Sequence, residues 1–238
     1  MSTASSNTSS TPSNPTPGRL WAWGILALLA VVWGSSFILM KRGLEVFNPI
    51  EIGALRIAIA FLVLLPFALR HLKGIPRDQW KWLLLPGLIG NTIPAFLFPL
   101  AQTHLMSSVV GVLNGLTPLT TVIVGALLFQ QSIPRKKLLG LAVGFAGAAL
   151  LSTAKATGGF GNINSYAFYV VLATICYGTS VNVIKYRLQD LSPTQIAAIA
   201  FMMVGPPILI FLLLGTPFLS HFVEADPTAR TAAWWALG

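Results

Sequence analysis

Residues 33–49 read WGSSFILMKRGLEVFNP, and residues 177–193 read YGTSVNVIKYRLQDLSP. A shift of 144 puts Gly34 on Gly178, Ser36 on Ser180, Lys41 on Lys185, Leu44 on Leu188 and Pro49 on Pro193. Continued without a gap, it aligns Ile52 with Ile196, Ala54 with Ala198 and Phe67 with Phe211. These eight matches within the window 33–67 exceed chance, so the chain contains a repeat.

The residues between the two copies define what is repeated. Over 238 residues, 55% are hydrophobic and only 9% charged, where soluble domains carry about 25% charged residues. Soluble enzyme classes are excluded. A bilayer core takes roughly 20 apolar residues per helical crossing, and apolar runs of that order fill 21–40, 50–69, 81–101, 107–129, 137–153, 166–185 and 194–214, with an eighth beginning at Thr231. Turn residues separate them: Asn48-Pro49, Gly74 and Pro76, Ser132 to Pro134, Gly158-Gly159, and Ser192-Pro193. Five crossings separate the starts of the copies, and an odd number reverses the second copy in the membrane. The expected fold is an all-α, polytopic helical membrane protein. It is an inverted repeat of five-helix units with a truncated second repeat: about seven complete transmembrane helices plus the start of an eighth. Alternating-access carriers use such repeats. The expected organisation is a disordered Ser/Thr/Pro-rich tail over 1–18, a first repeat over 19–157 and an incomplete second over 158–238. An equal second copy would reach about residue 297, so roughly sixty residues are expected to be missing.

The net charge of +9 does not point to nucleic acid, because the basic residues form short clusters between apolar runs. They follow the positive-inside rule instead. With the N-terminus cytoplasmic, ten fall inside: Arg19, Arg70, Lys73, Arg77, Lys81, Arg135, Lys136, Lys137, Lys185 and Arg187. Lys41, Arg42, Lys155 and Arg230 fall outside, and Arg56 lies within a helix. The single cysteine, Cys176, excludes a disulfide framework or a cysteine metal site.

The stretch Trp33-Gly34-Ser35-Ser36-Phe37, followed by Lys41, Pro49 and Leu55-Arg56, resembles the opening of the EamA-type drug/metabolite transporter family. Leu116-Thr117-Pro118-Leu119, Leu139-Gly140 and Gly147-Ala148-Ala149-Leu150-Leu151 are similar to its fourth and fifth helices. The resemblance, from about Trp21 to Phe218, implies ten helices in two repeats. It also implies transport of small metabolites, amino acids or drugs, commonly outward, across the bacterial inner membrane. Gln131 departs from the family, which usually carries glutamate there.

A carrier needs polar groups at mid-depth, where irregular backbone is tolerated only in a cavity lining or buried in protein. Helix three is the most broken, with Pro86-Gly87, Gly90-Asn91, Pro94 and Pro99. The candidate substrate-binding residues are Trp33, Ser36, Arg56, Asn91, Asn114, Thr117, Thr121, Tyr177, Thr179 and Asn182. Asn114, Thr117 and Thr121 share a helix face, as do Thr179 and Asn182. Each Ser, Thr or Asn has packing glue as an alternative. For Arg56, a counter-charge for carboxylate or phosphate stands beside snorkelling to the outer headgroups, with Glu51 at i−5 a poor partner. Lys41 and Lys185 read as snorkelling anchors.

Gly111-x-x-x-Gly115 and Gly140-x-x-x-Gly144 allow close helix packing, inside the bundle or in a homodimer. His221, Glu224 and Asp226 read as a solvated outer loop rather than a metal site. With no Walker loop, GxSxG or HExxH, no cofactor or catalytic role is expected. The expected partners are the lipid bilayer and a small-molecule substrate. The alternative is a non-transporting membrane protein or an inactive transporter fragment.

Overall fold

The computed structural model describes residues 19–131, the positions 139–140, 143–144 and 146–147, and residues 165–224. The N-terminal tail, most of the run 137–153 and the start of an eighth helix at Thr231 lie outside the described residues. Two compact units, Met1–Ser35 and Ser36–Gly238, are taken separately. In the first, Arg19–Ser35 is helical and its apolar side chains are exposed, Trp33 among them.

The helix that begins there is α1 (Arg19–Gly43). It is followed by α2 (Pro49–His71), α3 (Trp80–Leu85), a π-helical stretch (Pro86–Thr92) and α4 (Ile93–Gln102). Next come α5 (Ser107–Asn114), α6 (Thr117–Phe129), α7 (Ala167–Arg187), α8 (Pro193–Leu214) and the short α9 (Phe218–Glu224). Among the described residues, six helical segments are long and apolar enough to span a membrane, the third being Arg77–Gln102 and the fourth Ser107–Phe129. No strand occurs among the described residues. Large apolar side chains on the outside, such as Leu214 at 84% and Leu127 at 76% exposure, have the chemistry of a lipid-facing surface.

Local chemistry starts α2 and α8 in the same way. Asn48 caps α2 by accepting from the backbone N–H of Ile50 and Glu51, while Glu51 reaches back to the Asn48 N–H. Ser192 and Gln195 form the same reciprocal box on α8. Each box is followed by proline at the first helical position, where a missing N–H costs nothing. The boxes are 144 residues apart, the repeat shift. These two helices also make the most extensive contact in the second unit, with Phe61 filling the space beside Gly205.

The third span breaks where its prolines predict. Pro94 offers no N–H to the Gly90 carbonyl, and the backbone over 86–92 relaxes to π-helical pairing. Side chains add to this pairing: Asn91 Nδ2 donates to Pro86 O at 2.9 Å and Thr92 Oγ1 to Gly87 O at 2.9 Å. The fourth apolar run, expected as one helix, is divided at Gly115-Leu116. There Thr117 Oγ1 donates to the Asn114 carbonyl at 2.7 Å, and Pro118 sits in the first turn of α6. The segment at His221 is helical and docked rather than a solvated loop. Phe218 stacks on Phe47 at 5.3 Å, and His221 Nδ1 lies 3.0 Å from both oxygens of the fully buried Glu51. No metal cluster occurs among the described residues.

Candidate functional site

Helix α7 lies at the centre of the second unit, against α4, α5, α6 and the π-helical stretch. Glycine permits the close approaches. A Cβ on Gly178 would lie 2.8 Å from the Thr121 backbone nitrogen, and one on Gly90 would collide with the Ser180 side chain. The broken part of the third span is thereby pressed onto the middle of α7, which brings together the residues of interest.

Two groups of side chains result. The first is aromatic with one cation: Phe98 of α4 stacks on Tyr177 of α7 at 5.9 Å, and Phe37 meets Phe98 edge-on at 5.5 Å. Arg56 of α2 lies beside this group, its Nη1 4.0 Å from the Sδ of Met40, which packs in one cluster with Phe37, Phe98 and Tyr177. The only ion pair within 4.0 Å among the described residues is His221–Glu51, so Arg56 has no carboxylate partner there.

The second group is a polar seam between α6 and α7. Asn182 is 2% exposed, and its amide donates to the carbonyls of Thr121 and Gly178, both at 2.8 Å. Thr120 Oγ1 bridges to the Thr174 carbonyl at 2.7 Å. At the end of the seam Gln131 donates to the Tyr186 hydroxyl, whose ring stacks on Phe129 at 4.9 Å. Gln130 turns the chain there with φ 50°, the one non-glycine positive φ among the described residues.

The candidates thus sort by position. Arg56 and Tyr177 come together, and Asn182 meets Thr121 across the seam. Thr117 bonds Asn114 across the break between α5 and α6, and Thr121 bonds Thr117 within α6. Asn91 is occupied by the π-helical carbonyl, and half-buried Thr179 donates back to Ile175 O at 2.9 Å. Ser36 is partly buried, while Trp33 belongs to the other unit. Lys41 differs from the snorkelling reading, because its ammonium caps the third span, donating to the Gln102 carbonyl at 2.5 Å and to Leu105 O at 3.5 Å. Sequence reasoning missed Phe98 and Met40 as site neighbours. Phe98 sits in an apolar run with no local signal, and Met40 faces Arg56 only through helix packing.

Residues 21–153 match the EamA-like transporter family, more than half of the chain, and the chain belongs to that family. It is therefore a multi-pass protein of a membrane-transport family and not an enzyme. An uncharacterized transporter of Archaeoglobus fulgidus is 26% identical over 193 residues, covering 80% of this chain and 67% of the relative. A probable terminal-alkyne amino-acid exporter of Streptantibioticus cattleyicolor is 25% identical over 223 residues, covering 92% and 71%. A probable amino-acid metabolite efflux pump of Salmonella typhimurium is 28% identical, covering 80% of this chain but 62% of the relative. No solved structure matches the chain.

Proposed function

We propose that this chain moves small organic metabolites as a secondary carrier working by alternating access, on an inverted repeat with copies over 19–157 and 158–238. The observation that carries the reading is the packing of α2 on α8. Phe61 touches Gly205, and the repeat shift of 144 makes these two positions equivalents. A position that meets its own equivalent lies at a two-fold axis. Away from that point the packing follows the same rule. Ala54 shares one buried cluster with Leu212, and Ala68 shares another with Ala198. The shift carries Ala54 to Ala198 and Ala68 to Leu212, so both are one pair seen from opposite copies. A two-fold axis between inverted copies is the arrangement that lets a midplane site open to either side.

Cargo-facing roles fall to Arg56, Tyr177, Asn114 and Ser36, while Asn182, Thr121 and Asn91 hold the broken and closely packed helices around them. Relatives named for amino-acid export and metabolite efflux support a cargo of amino-acid size and outward movement. The basic residues support a cytoplasmic N-terminus, and bacterial relatives support an inner-membrane location. The test is a single cysteine at Asn114 in a Cys176→Ser background. A small hydrophilic thiol reagent should reach it from either face of the membrane, in mutually exclusive states. Access from one face only, under all conditions, rejects alternating access.

A further inference from the structure

We propose that the carried solute bears a carboxylate that docks on Arg56, with an apolar body against Phe37, Phe98 and Tyr177; this rests on the carrier reading above.

The first support is depth. Arg56 precedes Phe61 by five residues, about 7.5 Å along a helix rising 1.5 Å per residue. With Phe61 at the centre of the bilayer, the Arg56 backbone lies inside a hydrocarbon core whose half-thickness is roughly 15 Å. A cation there is costly unless it faces protein or a water-filled cavity and meets an anion.

The second support is the missing anion. A guanidinium has five N–H donors, and among the described residues the one side-chain bond Arg56 makes goes to a thioether sulfur at 4.0 Å, a weak acceptor. The acidic residues do not serve it. Glu51, the nearest in sequence, is fully buried and engaged by the Asn48 N–H and by His221. Glu45, Asp78, Asp190 and Glu224 form no ion pair with it, and Asp226 lies outside the described residues. Arg56 is only partly buried, so a small anion can approach its unused nitrogens.

The third support is asymmetry. The repeat equivalent of Arg56 is Ala200, which is 1% exposed and presses its carbonyl toward Gly87. Helix α8 therefore packs in the same register with no charge, so the fold does not require a cation there. Planar bidentate pairing with a carboxylate is what a guanidinium does best, and the adjoining Phe37–Phe98–Tyr177 wall suits an apolar body. A phospholipid phosphate offers the same charge, so the experiment separates the two sources.

The purified full chain is reconstituted in phosphatidylcholine vesicles and challenged with three labelled probes of one shape: 3-phenylpropionate, 3-phenylpropanol and 2-phenylethylamine. Saturable binding of the carboxylate, at least about tenfold tighter than the other two, is expected. Arg56→Gln should abolish that preference, and Arg56→Lys should restore part of it, with both variants eluting as the parent does by size exclusion. Equal binding of the alcohol or amine, no binding of any probe, or an unchanged preference in Arg56→Gln overturns the proposal. So does a marked gain in carboxylate affinity in Asp226→Asn, which would name Asp226 as the anion that already occupies Arg56. Displacement of the carboxylate by phosphatidylglycerol in the vesicles assigns Arg56 to lipid and also overturns it. Tight carboxylate binding without movement across the membrane keeps this site and rejects the carrier reading. Movement of a neutral solute indifferent to Arg56 does the reverse.

Discussion

Phe61 of α2 occupies the space that a side chain at Gly205 of α8 would need, and the two residues are equivalents in the 144-residue repeat. One helix brings the bulk and its copy brings the absence of it. Two helices that meet at positions 144 residues apart cannot keep the same large residue at both, because two phenylalanines would compete for one volume. Divergence at this pair is a consequence of close packing.

Gly205→Ala should therefore destabilise the protein by about 1–3 kcal/mol, the usual range for overpacking. Thermal unfolding in detergent measures it. Adding Phe61→Leu should recover much of the loss, since the added methyl then meets a smaller neighbour. Strictly additive effects of the two changes would show that the helices do not meet there.

Asn114 and Asn182 should respond differently to leucine. Asn182 is sealed in the α6–α7 seam with two carbonyls depending on its amide. Asn182→Leu should lower both membrane abundance and transport, because the Thr121 and Gly178 carbonyls, each still paired within its own helix, lose a second bond and the seam loses its cross-helix tie, at about 0.5–1.5 kcal/mol per bond. Asn114→Leu should leave abundance near normal and reduce transport. Equal losses of abundance at both positions would make Asn114 a packing residue as well.

Tyr186→Phe keeps the stack on Phe129 and removes only the acceptor for the Gln131 amide. The expected cost is about 0.5–1.5 kcal/mol, read by detergent unfolding. Gln131→Glu restores the residue type usual in the family. Its carboxylate accepts from the tyrosine hydroxyl, so the variant should approach wild-type stability and add a pH dependence to transport. A flat pH profile would show that the position has no role in gating.

His221→Ala should loosen the link between α9 and the start of α2. It leaves Glu51, fully buried, with the Asn48 N–H as its remaining polar contact. A loss of about 1–3 kcal/mol is expected, and His221→Gln, which keeps a donor, should lose less. Faster proteolysis after α8 in His221→Ala than in His221→Gln would be the corroborating sign.

Orientation is open to a direct measurement. In a Cys176→Ser background, a cysteine replacing exposed Glu45 should react with an impermeant thiol reagent in intact cells. One replacing exposed Asp78 should react only after permeabilisation. The opposite pattern would invert the topology drawn from the basic residues.

Composition and apolar run length determined by themselves that this is a multi-pass helical membrane protein, because the hydrocarbon core imposes a fixed length on every crossing. Local chemistry was equally legible. The boxes Asn48–Glu51 and Ser192–Gln195 and the breaks at Pro86 and Pro94 depend on residues within a turn or two of each other. Partners distant in sequence were not legible. Glu51 appeared as a poor neighbour for Arg56, and only packing revealed His221, 170 residues away, as its partner. Lys41 looked like a lipid anchor until the third span brought its carbonyl end within reach. The segregation of Arg56 from every described carboxylate, and the meeting of Phe61 with its own repeat equivalent, were likewise decided by tertiary structure. Both depend on how helices cross, and crossing is set by the summed shapes of many side chains on separate helices, which no single stretch of sequence encodes.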